Sequence, residues 1–137
     1  MTSCFSRGSV DYWLLPHAGS WETAGLARKA LELNQRPVAL VETYHSGALP
    51  SRDAFLEVNP PGVVATVLKR AEDSEDIILR LYETEGEVYK AQVDFSLLGR
   101  KFEVEFSPHQ IKTLLVPRGE GEVREVNLLE WQEQVNR

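Results

Sequence analysis

The chain of 137 residues has a single cysteine, Cys4, so no disulfide can form within it and no Cys-based zinc site can be built. That usage fits a reducing compartment, and the expected location is the cytoplasm. Long apolar runs are missing too. Nowhere do about eighteen apolar residues follow one another, so no helical segment is expected to span a membrane. MTSCFSRGSVDYW has no charged lead before an apolar run and does not read as a secretory signal. Clustered positive charge is scarce: net charge is −6, and the densest basic spots are the pairs Lys69-Arg70 and Arg100-Lys101. A polyanion such as nucleic acid needs broader basic patches, so no nucleic-acid partner is expected. There is no Asn-x-Ser/Thr sequon.

What is present suits one soluble globular domain. The apolar share is 42% and the charged share 26%, and the length is enough to bury one ordinary core. The expected domain is 1–137, with 1–8 a loose N-terminus. SVDYWLL (9–15) reads as a strand ended by Pro16 and Gly19. SWETAGLARKALELN (20–34) then reads as a helix, with Ser20 as N-cap and Glu22 in the first turn, where the helix dipole favours an acid. Gly25 weakens that helix by roughly 1 kcal/mol relative to Ala.

From Pro37 onward the period changes to two. Expected strands are 37–44, 55–58, 63–72, 77–84, 88–95, 101–107, 111–117 and 123–131, separated by loops and turns such as NPPG (59–62) and DSED (73–76). KFEVEF alternates most cleanly, with Phe102, Val104 and Phe106 on one side and Lys101, Glu103 and Glu105 on the other. Eight or nine short strands with one helix near the N-terminus predict a mainly β fold, an antiparallel β-sandwich. A parallel sheet would need more crossover helices.

No catalytic set stands out. The three histidines, His17, His45 and His109, form no zinc-binding pair, and a site would require His17 and His45 to meet a carboxylate in space. His109 reads as a solvent-facing turn residue. The Gly-x-Ser-x-Gly elbow is absent. AEDSED (71–76) has the character of a solvated turn and lacks the spacing of a calcium loop. Of the tryptophans, Trp13 is expected in the core, Trp131 over an edge, and Trp21, at the helix start, is open to either role. PHAGSWETAG (16–25) therefore has two readings. It is a conformational device that ends a strand and caps a helix, or it touches substrate through His17 and Trp21.

The same stretch carries a resemblance. WLLPHAGSWETAGLARKALELNQRPVAL, then FLEVNPPGVVATVLKRAEDSEDIILRLYE, IKTLLV and VNLLEW resemble, in order, the C-terminal β-sandwich region of glycoside hydrolase family 38, the α-mannosidases. The likeness covers nearly the whole chain from about Val10 and is most specific over KRAEDS…ILRLYE. His109 and Gln110 depart from the family, which often has an aromatic and an acid there. The resemblance implies a non-catalytic domain. Family members hold their zinc and nucleophilic aspartate in an N-terminal catalytic region that nothing here resembles. No catalytic residue, metal ligand or cofactor carries over to this chain. The implied partner is the catalytic region of a longer enzyme, in the same or a separate chain, with self-association through an uncovered apolar face. The alternative is a freestanding carbohydrate- or protein-binding module.

Overall fold

In the computed structural model the described residues are 10–35, 37–48 and 50–131. They form one helix, α1 (Leu26–Asn34), and seven strands: β1 (Glu57–Asn59), β2 (Val63–Arg70), β3 (Ile77–Glu83), β4 (Tyr89–Phe95), β5 (Arg100–Phe106), β6 (Ile111–Val116) and β7 (Arg124–Val126). The strands make two antiparallel sheets, ordered β1-β4-β5 and β2-β3-β6-β7. The expected sandwich is what forms.

Alternation decides which side chains lie between the sheets. Ala91, Val93 and Phe95 of β4 are buried, as are Val104 and Phe106 of β5. They meet Leu79, Leu81, Leu114 and Val116 from the facing sheet in one cluster. Each fully buried large side chain contributes about 1.5–3 kcal/mol. A smaller cluster of Ala71, Ile78, Leu115 and Val126 occupies the opposite face of the four-stranded sheet. Its members alternate with the core residues along β3 and β6, so this sheet carries apolar side chains on both faces.

The seven later strands expected from the sequence all form, with shifted ends. The two earlier ones do not: the described residues of 9–15, and 37–44, lie outside any strand. Strand-like composition is insufficient without a neighbour to accept the backbone hydrogen bonds. The helix starts at Leu26 instead of following Ser20, because Gly25 takes a left-handed conformation with φ 63° and breaks the run. Residues 21–25 form turns, in which the Thr23 N–H reaches Ser20 Oγ at 3.4 Å and the Ala24 N–H reaches the Ser20 carbonyl at 3.2 Å. The last expected strand, 123–131, pairs only over Arg124–Val126. The expected loose N-terminus, 1–8, lies outside the described residues.

Candidate functional site

Three turns converge at one end of the sandwich, and Glu83 joins two of them. Parity along β3 places Glu83 on the core side behind Leu79 and Leu81, where it is fully buried. An isolated buried carboxylate is costly, so its oxygens must find donors. Oε1 accepts the Glu85 N–H at 2.7 Å, and Oε2 accepts the N–H groups of Gly86 at 2.9 Å and His109 at 2.7 Å. Burial pushes this carboxyl up, but the backbone N–H groups of His109, Glu85, Glu87 and Gly86 outweigh it and hold the group below its ordinary value.

The glycines explain how these turns approach so closely. Gly86 has φ 76°, and a Cβ there would sit 2.9 Å from His109 Nε2. At Gly62, a Cβ would collide with the Glu85 carboxylate and the Tyr89 ring. The Gly62 carbonyl accepts both the N–H and the hydroxyl of Thr84, each at 2.9 Å. The Tyr89 hydroxyl donates to Glu85 Oε2. That bond, then burial and the nearby carboxylates, pushes the phenol up to about 12. Glu83 has both oxygens occupied by backbone donors, so it serves as a structural hub and not as a free acid or base.

A second carboxylate acts in the same way at the far end of β2. Glu130 Oε1 pairs with Lys69 Nζ at 2.6 Å, and its Oε2 accepts the Glu72 N–H at 2.8 Å. Lys69 is also paired with Glu72 at 3.0 Å. The segment carrying Glu130 is shaped by Asn127, whose Oδ1 accepts the N–H groups of Leu129 at 2.9 Å and Trp131 at 3.0 Å. Thus KRAED and NLLEW, far apart in sequence, are bonded to one another.

Comparison with known proteins finds relatives for part of this chain. Residues 62–114, which hold β2 to β5 and most of β6, match the model of the glycosyl hydrolases family 38 C-terminal beta sandwich domain. Over that span the chain is similar to a family 38 C-terminal β-sandwich. The chain is 38% identical over 88 residues to human alpha-mannosidase 2C1, covering 62% of the chain and 8% of the relative. It is 28% identical over 141 residues to mouse alpha-mannosidase 2C1, covering 84% of the chain and 13% of the relative. Alpha-mannosidase G of Dictyostelium discoideum is 27% identical over 81 residues, covering 55% of the chain and 7% of the relative. The chain thus spans a small part of the length of these relatives. No solved structure matches.

His17 and Trp21 both lie at the surface, before α1. Trp21 is 52% exposed. Among the described residues His17 makes no hydrogen bond, and nothing links the pair to the hub carboxylates through one. Trp13, expected in the core, is 69% exposed, because 10–15 packs into neither sheet. His109 is exposed, as its turn position suggested, but its backbone N–H is the longest-range donor to Glu83. The sequence reading missed Glu83, Glu85 and Tyr89. Only the match to LRLYE pointed there, and it marked a likeness without a role. AEDSED is a turn closed by the Ala71 N–H on the Asp76 carbonyl at 2.8 Å, with Glu75 pairing to Arg70 at 3.1 Å. A cleft of ≈ 610 Å³ separates α1 from β1 and β2 and is lined by both signs of charge, including Arg28, Glu32, Arg52 and Glu57. Among the described residues no helix is long and apolar enough to cross a membrane.

Proposed function

We propose that this chain is a non-catalytic C-terminal β-sandwich of a zinc-dependent family 38 α-mannosidase, supporting hydrolysis of α-mannosides by a catalytic region elsewhere in the enzyme. One observation carries the reading. The carboxylates of Glu83 and Glu130, in two of the segments that resemble the family, are both committed to backbone N–H groups of this chain. They hold turns together, so neither is free to serve as the acid or the base that glycoside hydrolysis requires. Zinc does not fit here either: among the described residues no three His, Cys, Asp or Glu side chains gather. Its place is the catalytic region, which is also the expected partner. The setting we propose is the cytoplasm, on the single cysteine.

Immunoblotting of the source cells with an antibody to this chain tests the proposal. The expected band is several times larger than 15.5 kDa, and its immunoprecipitate cleaves an aryl α-mannoside while the isolated chain does not. A free chain of 15.5 kDa, or hydrolysis by the isolated chain, overturns it. A second reading, a freestanding carbohydrate- or protein-binding module, draws on the exposed rings of Trp21 and Tyr44. It predicts a 15.5 kDa native protein that binds mannosides or a protein partner unaided.

A further inference from the structure

Residues 10–15 and 37–44 are mostly apolar on both sides of an extended strand, with Asp11, Glu42 and Thr43 the polar exceptions. Tyr12 and Leu14 fall on one side of the first, Trp13 and Leu15 on the other. Val38, Leu40, Glu42 and Tyr44 fall on one side of the second, Pro37, Ala39, Val41 and Thr43 on the other. A half-exposed strand alternates apolar with polar, whereas a run apolar on both sides marks a strand with a layer above and below it. Yet these side chains are uncovered: Leu14, Leu40, Val41 and Tyr44 are at least 90% exposed. Among the described residues, neither segment makes a backbone–backbone hydrogen bond. Two rows of backbone N–H and C=O groups and the apolar side chains of both segments are therefore left without partners.

Similarity to a longer protein reaches this part of the chain. The match to mouse alpha-mannosidase 2C1 covers 84% of the chain. Residues 56–137, which contain all seven strands, make up only about 60% of it. The match must therefore take in part of 1–55, outside the sandwich, so that part also has a counterpart within the longer relative.

We infer that 10–15 and 37–44 are two strands of a second β-sheet, completed by strands from the part of an α-mannosidase polypeptide that lies outside this sequence. The inference rests on the function proposed above and names the surface through which the chain joins the enzyme. Pairing supplies the missing backbone hydrogen bonds, and the layers of that second unit cover both apolar faces.

Amide hydrogen exchange tests it, comparing the isolated chain with the native polypeptide immunoprecipitated from source cells. In the isolated chain at low micromolar concentration, peptides from 10–15 and 37–44 exchange at the rate of an unstructured peptide. In the longer polypeptide they exchange at least about a hundredfold more slowly. Val41→Pro removes a ladder donor. It abolishes that protection in the longer polypeptide and leaves thermal unfolding of the isolated chain unchanged. Fast exchange within a long, active native polypeptide overturns this inference alone. Protection in the isolated chain that rises with its concentration overturns it by making a second copy the occupant. A free native chain of 15.5 kDa overturns both this inference and the proposed function.

Discussion

Glu83 and His109 stand 26 residues apart in sequence, and the carboxylate of the first accepts the backbone N–H of the second at 2.7 Å. The bond joins the turn after β3 to the turn before β6, so one buried anion ties together two connections that cross between the sheets. Glu83→Ala should leave three half-buried backbone N–H groups without their acceptor, at up to about 1–3 kcal/mol for each group that water does not reach. We expect the midpoint of urea unfolding to fall sharply, with most of the loss retained in Glu83→Gln, whose amide turns an N–H₂ toward donors. An Ala variant as stable as the parent sinks this assignment.

The same carboxylate makes stability depend on pH. Its folded value lies below the ordinary 4.5, so the ionised form is the one the fold favours. The stabilisation is present above about 4.5 and is lost as pH falls through the folded value. Thermal unfolding followed from pH 7 to pH 3 should show the melting temperature dropping below about pH 4.5. Glu83→Gln should flatten part of that drop; an identical profile in the variant contradicts the account.

Gly86 should tolerate no side chain. Its φ of 76° costs a non-glycine residue roughly 1–2 kcal/mol, and a Cβ meets the His109 ring at 2.9 Å. Gly86→Ala should therefore destabilise by at least that amount in chemical denaturation. Gly119, with open space around it, is the control, and Gly119→Ala should be near neutral.

Tryptophan fluorescence should report an unburied set. Trp13, Trp21 and Trp131 are all more than half exposed, so emission from the isolated chain should be red-shifted and strongly quenched by iodide. Within the longer enzyme, Trp13 should be shielded. A blue-shifted, iodide-resistant spectrum from the isolated monomer would contradict the exposure of Trp13.

His17 should matter little to the isolated chain. It is exposed and, among the described residues, without a hydrogen bond, so His17→Ala should change the unfolding midpoint negligibly. A marked loss of stability would restore it as a structural element of the turn.

Much of the architecture was legible in one dimension. Alternation in KFEVEF identified which side chains of β5 face inward, because a pleated strand turns successive side chains to opposite faces. NPPG and DSED marked turns, since proline removes a donor and the short polar residues bond their own backbone. The ordered likeness of KRAED, LRLYE and NLLEW pointed to the family. Chain-local chemistry did not disclose what those acids do. Glu83 reads as one more charge at a strand end, and Glu130 as another surface acid. Burial and the choice of donor depend on which turns the two sheets bring together, and those donors lie 26 residues away for Glu83 and 58 for Glu130. The strand-like runs at 10–15 and 37–44 mark the opposite limit. Apolar composition on both faces is a local property, written in the sequence. Whether it becomes a strand is decided by the presence of a neighbour to complete the ladder, and in this fold neither sheet provides one.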